Sequence, residues 1–487
     1  MLRKMVGYAG YMFVVTSVVR LFSFCVSMLG ARLKTREDYG DYNTYILFYG
    51  DTQGLFTFGF NQAIQTYSAK DEENRARFAR LAYVLFAALV FACALIGIAI
   101  GHFWRWSYAL GIFALPPVVL NWWARFLARS RLDAKAESKL VIIGSASNSL
   151  AQFLFLSLSS YSDALIYGDF LACWLMGISG FVAIPLVTGF SLSRLRRTTI
   201  PRDFLKQVLR FAAPLWLSGQ LVVIAYDLQS LFARGYLGAE ALAVLGLAML
   251  LWQFAVAPME VLYQSVLPGL VSAPEAERGR LYADTMRLCL VVFPALAIAV
   301  AVGAPLALQI AGVADKYLEV PLILMIFACD IPLRALQAVT NHLGPAVGRP
   351  KVSLHGFVAQ ALVSLALIYP AAKLFGVFGI VLVGAIANGA NALVMVRQLR
   401  QLYPREIGFA VRSMFLALGA GIGTMSIAYA ARGLPAVWLL ALPLPLLYLG
   451  LAFVAGLWHR GDLAQVVGEL RARIRARRGG GTPKPEA

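Results

Sequence analysis

Residues 352–396, VSLHGFVAQALVSLALIYPAAKLFGVFGIVLVGAIANGANALVMV, decide the class of fold. The stretch holds two consecutive apolar runs, 352–373 and 376–396, which only Leu374 and Phe375 separate. An α-helix needs roughly 20 mostly apolar residues to cross the hydrocarbon core of a bilayer, and each run has that length. The pattern therefore predicts two transmembrane helices joined by a very short turn.

The same criterion, applied outward along the 487 residues, predicts about fourteen transmembrane helices. Apolar residues make up 60% of the chain and charged residues 14%, a composition typical of proteins whose solvent is lipid. The predicted spans are residues 6–30, 43–66, 81–101, 107–128, 140–161, 164–187, 211–233, 241–266, 288–311, 319–342, 352–373, 376–396, 412–431 and 436–458. We therefore expect an all-α polytopic membrane protein.

The positions of lysine and arginine predict the orientation of the chain. Cytoplasmic connections of membrane proteins carry an excess of these residues. If the N-terminus is cytoplasmic, the connections on that side and the two termini hold 32 of the 43 basic residues, and the connections on the other side hold eight. This alternation requires an even number of helices. The sequence thus predicts a multi-pass protein of the inner (plasma) membrane with both termini in the cytoplasm.

Two basic amphipathic segments lie outside the predicted spans. In residues 191–210, apolar side chains recur at helical spacing beside lysine and arginine, which predicts an interfacial cytoplasmic helix that links two lobes. The tail has a similar pattern, and either a helix on the inner leaflet or a solvated basic helix would explain it. The predicted units are an N-lobe (1–190), the linker (191–210), a C-lobe (211–396), two more helices (397–458) and the tail (459–487).

Similar short segments follow the first and the seventh predicted helix. They are ARLKTREDYG, residues 31–40, and ARGYLG, residues 233–238, which occupy the same topological position in the two halves. Transporters are often built from repeated halves with the binding site between them. This arrangement favours a site between the two lobes.

Ionisable side chains inside the predicted spans mark the candidate site. A charge at that depth costs at least a few kcal/mol, so it normally faces the bundle interior or a water-filled cavity. The candidates are Arg20 in the first span, Asp51 in the second, Arg125 in the fourth, Asp169 in the sixth, Asp227 in the seventh, Glu260 in the eighth, and Asp330 with Arg334 in the tenth. We expect them to line one hydrated chamber between the two halves.

Several of these residues also have a purely structural interpretation. Asp330 and Arg334 are four residues apart and can pair on one helix face. Arg125 and Asp169 lie near helix ends, from which their side chains can reach the interface. Arg20 and Asp51 lie on consecutive helices and can neutralise each other, although a buried pair is costly to build. The sequence leaves these alternatives open.

The motifs of several other protein classes are missing from the sequence. It contains no nucleotide-binding loop, no cluster of metal ligands and no catalytic triad, so we predict neither an enzyme nor a resident cofactor or metal. The five cysteines lie inside apolar segments without metal-ligand spacing. The basic residues form short clusters between apolar runs, which argues against nucleic acid as a partner. Transport would be driven by a proton or sodium gradient, by the membrane potential or by the substrate's own gradient.

Motifs along nearly the whole chain resemble one transporter family. They are ARLKTREDYGDYNTY (31–45), GFNQAIQTYSA (59–69), FAAPLWLSGQLVVIAYDLQSLFARGYLGAEALAVLGLA (211–248), LYQSVLPGL (262–270) and GRPKV (348–352). In these segments the chain resembles the polysaccharide-transporter branch of the multidrug/oligosaccharidyl-lipid/polysaccharide exporter superfamily, which comprises the O-antigen and exopolysaccharide flippases. It departs from the common pattern at LAVLGLA (242–248), which lacks the usual Gly-x-Tyr.

The resemblance implies an architecture and a substrate. Two six-helix lobes would surround a central V-shaped cavity, two C-terminal helices would be appended, and the lobes would rock to give alternating access. The substrate would be a polyprenyl-diphosphate-linked oligosaccharide for surface polysaccharide biosynthesis, its head group in the cavity and its tail in the lipid. Implied partners are membrane lipids and, beyond these, a polysaccharide polymerase and a chain-length regulator.

The resemblance also suggests roles for the ionisable residues. Arginine suits a diphosphate because its planar fork donates two parallel hydrogen bonds. The expected head-group contacts are therefore Arg20, Arg125 and Arg334. The expected proton or cation sites, or acceptors for sugar hydroxyls, are Asp51, Asp227, Glu260 and Asp330.

Two other functions remain open from the sequence. Five acids against three arginines would make the chamber acidic, which suits a cation-coupled exporter of cationic drugs on the same fold. The second alternative function is that of a non-transporting scaffold, which would dock a polysaccharide polymerase through its basic loops and tail. Replacement of Asp227 or Glu260 separates the exporter from the flippase, because only the exporter would lose dye efflux while surface polysaccharide is kept.

Overall fold

The computed structural model describes residues 2–47, 57, 60–68, 71–103, 106–131, 133–158, 163–272, 274–349, 351–433 and 437–457. Within these residues the chain is helical and contains no β-strand. Eleven helical stretches are long and apolar enough to cross a membrane. The predicted all-α, polytopic architecture is confirmed.

The first half of the described chain forms helices α1 to α8. They are α1 (Leu2–Leu33), α2 (Arg36–Ile46), α3 (Phe60–Ser68), α4 (Glu72–Phe103), α5 (Trp106–Ser130), α6 (Ala134–Leu158), α7 (Ala164–Thr188) and α8 (Leu192–Arg197). Local capping explains where α2 begins. Thr35 is its N-cap, and the hydroxyl accepts a hydrogen bond from the backbone N–H of Asp38 over 3.0 Å.

The second half forms helices α9 to α15. They are α9 (Arg202–Phe232), α10 (Ala239–Ser272), α11 (Glu275–Ile310), α12 (Val320–Ala346), α13 (Lys351–Leu399), α14 (Pro404–Ala430) and α15 (Pro443–Val454). A π-helical turn, Ala233–Leu237, extends α9. Gly376 interrupts α13 with φ 58° and ψ −135°, a conformation that glycine adopts readily because it has no Cβ.

The break at Gly376 falls where the sequence predicts the boundary between two spans. The chain folds back there, and the two parts of α13 run side by side: a side chain on Gly356 would touch Asn391 and Met395. The eleven membrane-length stretches, of which α13 supplies two spans, thus account for twelve of the fourteen predicted spans. The other two, predicted at 43–66 and 211–233, correspond to α2 with α3 and to α9.

The linker differs from the single interfacial helix that the sequence predicts. It contains the short helix α8 and an extended connection, and α9 already begins at Arg202 rather than near residue 211. Two of the apolar residues at helical spacing, Phe204 and Val208, face protein, whereas Leu209 is exposed. The ring of Phe204 packs edge-on against Phe78 of α4, with 5.2 Å between centroids, and Val208 is fully buried. The predicted tail, 459–487, lies outside the described residues.

The helices pack as two groups with a small appendage. Helices α4 to α7 contact one another and α3 packs on α5, whereas α10 to α13 form the second group with α9 on α13. Helices α14 and α15 pack against α11 and α12. Helix α1 lies between the groups, in contact with α6 and α10, and α2 packs against α10. The exact lobe boundaries given above stay a prediction.

Large apolar side chains cover the outside of both groups. Phe91 on α4, Leu186 on α7 and Leu393 on α13 are each more than two-thirds exposed. Apolar surface of this extent is stable only against lipid or another apolar surface. Successive long helices run in opposite directions through the bundle. Helix α8 and the α12–α13 connection therefore lie at one face, which we term the linker face. The α1–α2 and α9–α10 connections lie at the other, which we term the opposite face.

Candidate substrate site between the two halves

An ion pair joins the two halves inside the bundle. Arg20 on α1 donates from Nη2 to Glu260 Oε2 on α10 over 2.5 Å, and from Nη1 to the backbone carbonyl of Gln253 over 3.2 Å. The Arg20 side chain is 24% exposed and that of Glu260 is 49% exposed. One turn further along α1, Phe24 packs edge-on against Phe254 of α10 at 5.0 Å between centroids. The pair therefore lies where the halves meet, with one carboxylate half open to its surroundings.

A second ion pair closes the opposite face. Arg234, in the π-helical turn after α9, donates to Asp41 Oδ1 on α2 over 2.7 Å. Tyr108 of α5 donates its hydroxyl hydrogen to the same carboxylate oxygen over 3.1 Å. Asp41 thus connects both halves through partners on two elements, the π-helical turn and α5.

Arg36 and Lys316 add contacts at the same face. Arg36 at the start of α2 lies 3.6 Å from Glu240 of α10 and 3.4 Å from Glu319, just before α12. Lys316 donates from Nζ to the backbone carbonyls of Ala31 and Lys34. Burial is the first cause that lowers the pKa of Lys316, and the charge of Arg36 is the second. The loop before α12 is therefore fixed to the end of α1.

Two glycines allow α2 and α10 to touch along their backbones. A Cβ on Gly40 would stand 2.2 Å from the backbone oxygen of Ala239, and one on Gly246 would stand 2.5 Å from the amide nitrogen of Asn43. At Gly40 the neighbour is backbone, so a side chain there requires the helices to separate, whereas at Gly246 the neighbour is the side chain of Asn43. Together with the ion pairs of Asp41 and Arg36, this contact forms what we term the opposite-face closure.

The opposite-face closure is where the repeated segments of the sequence meet. Segment 31–40 supplies Arg36 and Gly40, and segment 233–238 supplies Arg234. Arg36, Asp41, Arg234 and Glu240 were not predicted as site residues. Their signal was the repeat itself, since equivalent connections of two repeated halves come together at one face.

The first half also contains a polar network around a buried carboxylate. Asp169 on α7 is fully buried and accepts hydrogen bonds from Asn148 over 2.7 Å and Gln152 over 3.1 Å. Gln152 also donates to the hydroxyl of Tyr42 on α2 over 2.7 Å. Asp169 therefore faces the interior of the protein, and the interfacial alternative does not describe it.

A small cavity of about 110 Å³ lies next to this network. Its lining contains Arg125 of α5, Asn148 of α6 and Ser23 of α1, one helical turn from Arg20. Glu137 is fully buried, receives a pair of hydrogen bonds from Arg129 and lies 3.9 Å from Arg125. Glu137 was not predicted as a site residue, because it lies in a predicted cytoplasmic connection.

The second half contains a separate network on α12 and α13. Asp330, with its side chain 2% exposed, accepts from Nε of Arg334 over 2.5 Å and from Asn388 over 2.7 Å. Gln360 donates to Asn388 over 2.9 Å and accepts from Gln337 over 2.9 Å. The i, i+4 pairing of Asp330 with Arg334 is present.

The predicted site residues fall into three groups. Arg20 meets Glu260 between the halves, Arg125 lies at the cavity of the first half, and Arg334 meets Asp330 inside the second half. Each of the three arginines lies near an acid. The structure does not bring the three arginines together. Asp51 lies outside the described residues, and although α9 contains Asp227, its side chain lies outside them as well.

No protein-family model matches the sequence, and no curated protein matches it. Solved structures share its fold, among them MOP superfamily transporters. A MOP superfamily transporter from Pyrococcus furiosus superposes with a TM-score of 0.64 at 16% identity, over 83% of this chain and 96% of that one. A multidrug resistance MATE family transporter in an outward-facing conformation gives the same four values.

A lipid flippase has the same fold. The lipid II flippase MurJ, in its inward closed conformation, superposes with a TM-score of 0.63 at 13% identity, over 91% of this chain and 98% of that one. Identities of this size establish the fold and leave the substrate open. The chain therefore shares the fold of these solved structures.

Proposed function

We propose that the protein is a flippase that moves a polyprenyl-diphosphate-linked oligosaccharide across the membrane by alternating access. The observation that carries the proposal is the pair of Arg20 and Glu260 between the two halves, in a fold that it shares with a lipid II flippase. Surface polysaccharide biosynthesis is the process that such a substrate serves.

The ion pair is suited to exchange with an anionic substrate. Glu260 offers Arg20 a carboxylate that a phosphate oxygen can replace, since both accept charge-assisted hydrogen bonds from a guanidinium. Glu260 is 49% exposed and free to turn away, whereas Arg20 is 24% exposed and also bound to the carbonyl of Gln253. The arginine thus stays in place while its partner changes.

The neighbouring cavity offers polar groups to the edge of a saccharide. Asn121, Ser145 and Asn148 line it together with Arg125, and amide and hydroxyl groups both donate and accept hydrogen bonds. Sugar hydroxyls need such mixed partners. Arg125 is the second candidate for a phosphate contact, and Arg334, bound to Asp330 inside the second half, is the third.

The opposite-face closure supports alternating access. Ion pairs and backbone contact hold the halves together at that face, so in this conformation the substrate enters from the linker face. We place the linker face in the cytoplasm, in line with the distribution of basic residues. Asp51 and Asp227 are the proposed sites for a coupling proton or sodium ion, with Asp330 as a further candidate.

Proteoliposomes test the proposal directly. The assay measures how fast a fluorescent undecaprenyl-diphosphate-linked saccharide becomes accessible to a quencher on the far side of the membrane. Loss of one hydrogen bond to a charged group costs about 1.5–3 kcal/mol, so Arg20→Gln should slow flipping roughly 10- to 100-fold. Arg280→Gln, which removes a charge that is 88% exposed on α11, should leave the rate unchanged. Equal rates for wild type and Arg20→Gln contradict the proposal.

A cation-coupled drug exporter is the second candidate. It is favoured by the similarity to multidrug resistance MATE transporters and by the half-exposed acid Glu260. Dye efflux from cells distinguishes the two. Loss of efflux in Glu260→Gln with normal saccharide flipping supports the exporter, whereas a flipping defect without an efflux defect supports the flippase.

A further inference from the structure

A basic pocket lies at the linker face of the second half, away from the site between the halves. It encloses about 800 Å³ between the α12–α13 connection and the end of α13. Arg349, Lys351 and Arg397 line it, with Gln398 and Gln401. The proposed flippase mechanism gives these residues no role.

The three cations of the pocket have no acidic partner among the residues that the structure describes. None of them forms an ion pair with a carboxylate in the described part of the chain, although most arginines inside the bundle do. All three side chains are exposed. Their mutual repulsion inside one cavity is relieved by an anion, and phosphate is the anion that arginine and lysine bind best.

One wall of the pocket is held in place by a hydrogen bond. His355 lies one turn beyond Lys351 on α13, and its Nδ1 is 3.2 Å from Oε1 of Gln398. This contact ties the start of α13 to its end. The cations on the two ends, Lys351 and Arg397, are thereby kept on the same side of the bundle.

Apolar side chains continue from the pocket toward the middle of the membrane. On the first part of α13 the exposed positions after Lys351 and His355 recur every three or four residues, which places them on one helix face. They are Val358, Leu362, Leu365 and Tyr369. On the second part, Leu393, Ile386 and Leu382 lie below Arg397. A cationic head-group pocket thus continues into two apolar stripes.

We propose that this pocket binds the head group of an anionic glycerophospholipid from the leaflet at the linker face, and that a head group with two phosphates binds most tightly. The apolar stripes argue for a lipid over a free phosphate, because acyl chains would cover surface that a soluble anion leaves bare. Basic pockets between helices at the cytoplasmic side are known to suit such lipids.

Native mass spectrometry of the full-length protein in detergent tests the proposal. Protein is titrated with tetraoleoyl cardiolipin, dioleoyl phosphatidylglycerol, dioleoyl phosphatidylcholine or inorganic pyrophosphate. We expect affinity to fall in that order for the three lipids, and no resolved binding of pyrophosphate. Each positive charge near a membrane is worth roughly fivefold in affinity, so Arg349→Gln with Arg397→Gln should weaken cardiolipin binding at least tenfold.

The matched control is Arg400→Gln with Arg405→Gln. It removes the same charge at the same end of the second half but outside the pocket lining. This variant should bind cardiolipin within twofold of wild type, and a melting temperature measured for each variant confirms that it is folded. An equal loss in the control reduces the effect to general surface charge and overturns the proposal. Equal binding of phosphatidylcholine, or pyrophosphate binding as tight as that of cardiolipin, overturns it as well.

Discussion

Arg20 donates to Glu260 over 2.5 Å, although 240 positions separate the two residues in the chain. This contact bridges the first helix of one half and the second long helix of the other. The exposed side of the pair is the carboxylate, so the guanidinium is the fixed element of the site and the acid is the element that can leave.

Removal of the acid should strengthen the binding of an anionic substrate. A partly exposed ion pair contributes about 0.2–1 kcal/mol, so Glu260→Gln should raise affinity for an undecaprenyl-diphosphate saccharide by up to about fivefold. Fluorescence titration in detergent measures the change. Glu277→Gln, at an exposed position in the first turn of α11, is the control. Weaker binding in Glu260→Gln would show that the acid contacts the substrate itself.

A side chain at residue 40 should open the opposite-face closure. The Cβ of Gly40→Ala would stand 2.2 Å from the backbone oxygen of Ala239, and backbone atoms cannot turn away as a side chain does. Spin labels at Leu158 and Leu374, both exposed near that face, should move apart in a double electron–electron resonance experiment on a background without native cysteines.

Gly408→Ala is the control for that measurement, because an added Cβ meets no atom within 4 Å. Its distance distribution should match that of the parent protein. If Gly40→Ala gives the parent distribution too, close packing of α2 on α10 does not hold this face shut.

Strain should appear when the turn inside α13 loses its glycine. Gly376 has φ 58° and ψ −135°, and its position has no steric neighbour within 4 Å, so Gly376→Ala changes only the backbone energy. We expect a loss of about 1–3 kcal/mol in the free energy of unfolding, measured by denaturant titration. Gly419→Ala, also without close neighbours, should cost nothing. Equal stability of both variants would mean that the turn adapts.

The buried pair in the second half should behave as a unit. Asp330→Asn deprives Arg334 of the acid that binds it, and loss of one member of a buried pair costs about 3–5 kcal/mol. Asp330→Asn with Arg334→Gln should recover much of that stability, in the same unfolding assay. A double variant no more stable than the single one would favour a contact with substrate or a coupling ion over a structural ion pair.

Local patterns predicted the elements of the fold well. The two apolar runs at 352–396 gave both parts of α13 and the turn between them, because hydropathy and helix length are properties of adjacent residues. The start of α9 was predicted too late. Residues 202–210 have helical spacing and many charges, and only the packing of Phe204 on Phe78 shows that one face of this segment contacts protein.

Ion pairs between residues far apart in the chain could not be predicted from the sequence. A pair of Arg20 with Asp51 was one alternative from the sequence and stays untested, because Asp51 lies outside the described residues. The structure gives Arg20 the distant Glu260 as a partner. Glu137 appeared to lie in a solvated connection and is fully buried beside Arg129. The amino-acid sequence shows which residues are ionisable. It does not show which of them the packing of the helices brings within 4 Å of one another.

The early start of α9 has a mechanical consequence. Its first turns are held by the first half, through Phe204 on Phe78 and Phe211 on Tyr67, while its later part packs on α13 of the second half. A rotation of one half against the other must therefore flex this helix along its length. The sequence of α9 contains Pro214 and Gly219, residue types at which helices bend, so α9 would bend whenever the two halves rotate against each other.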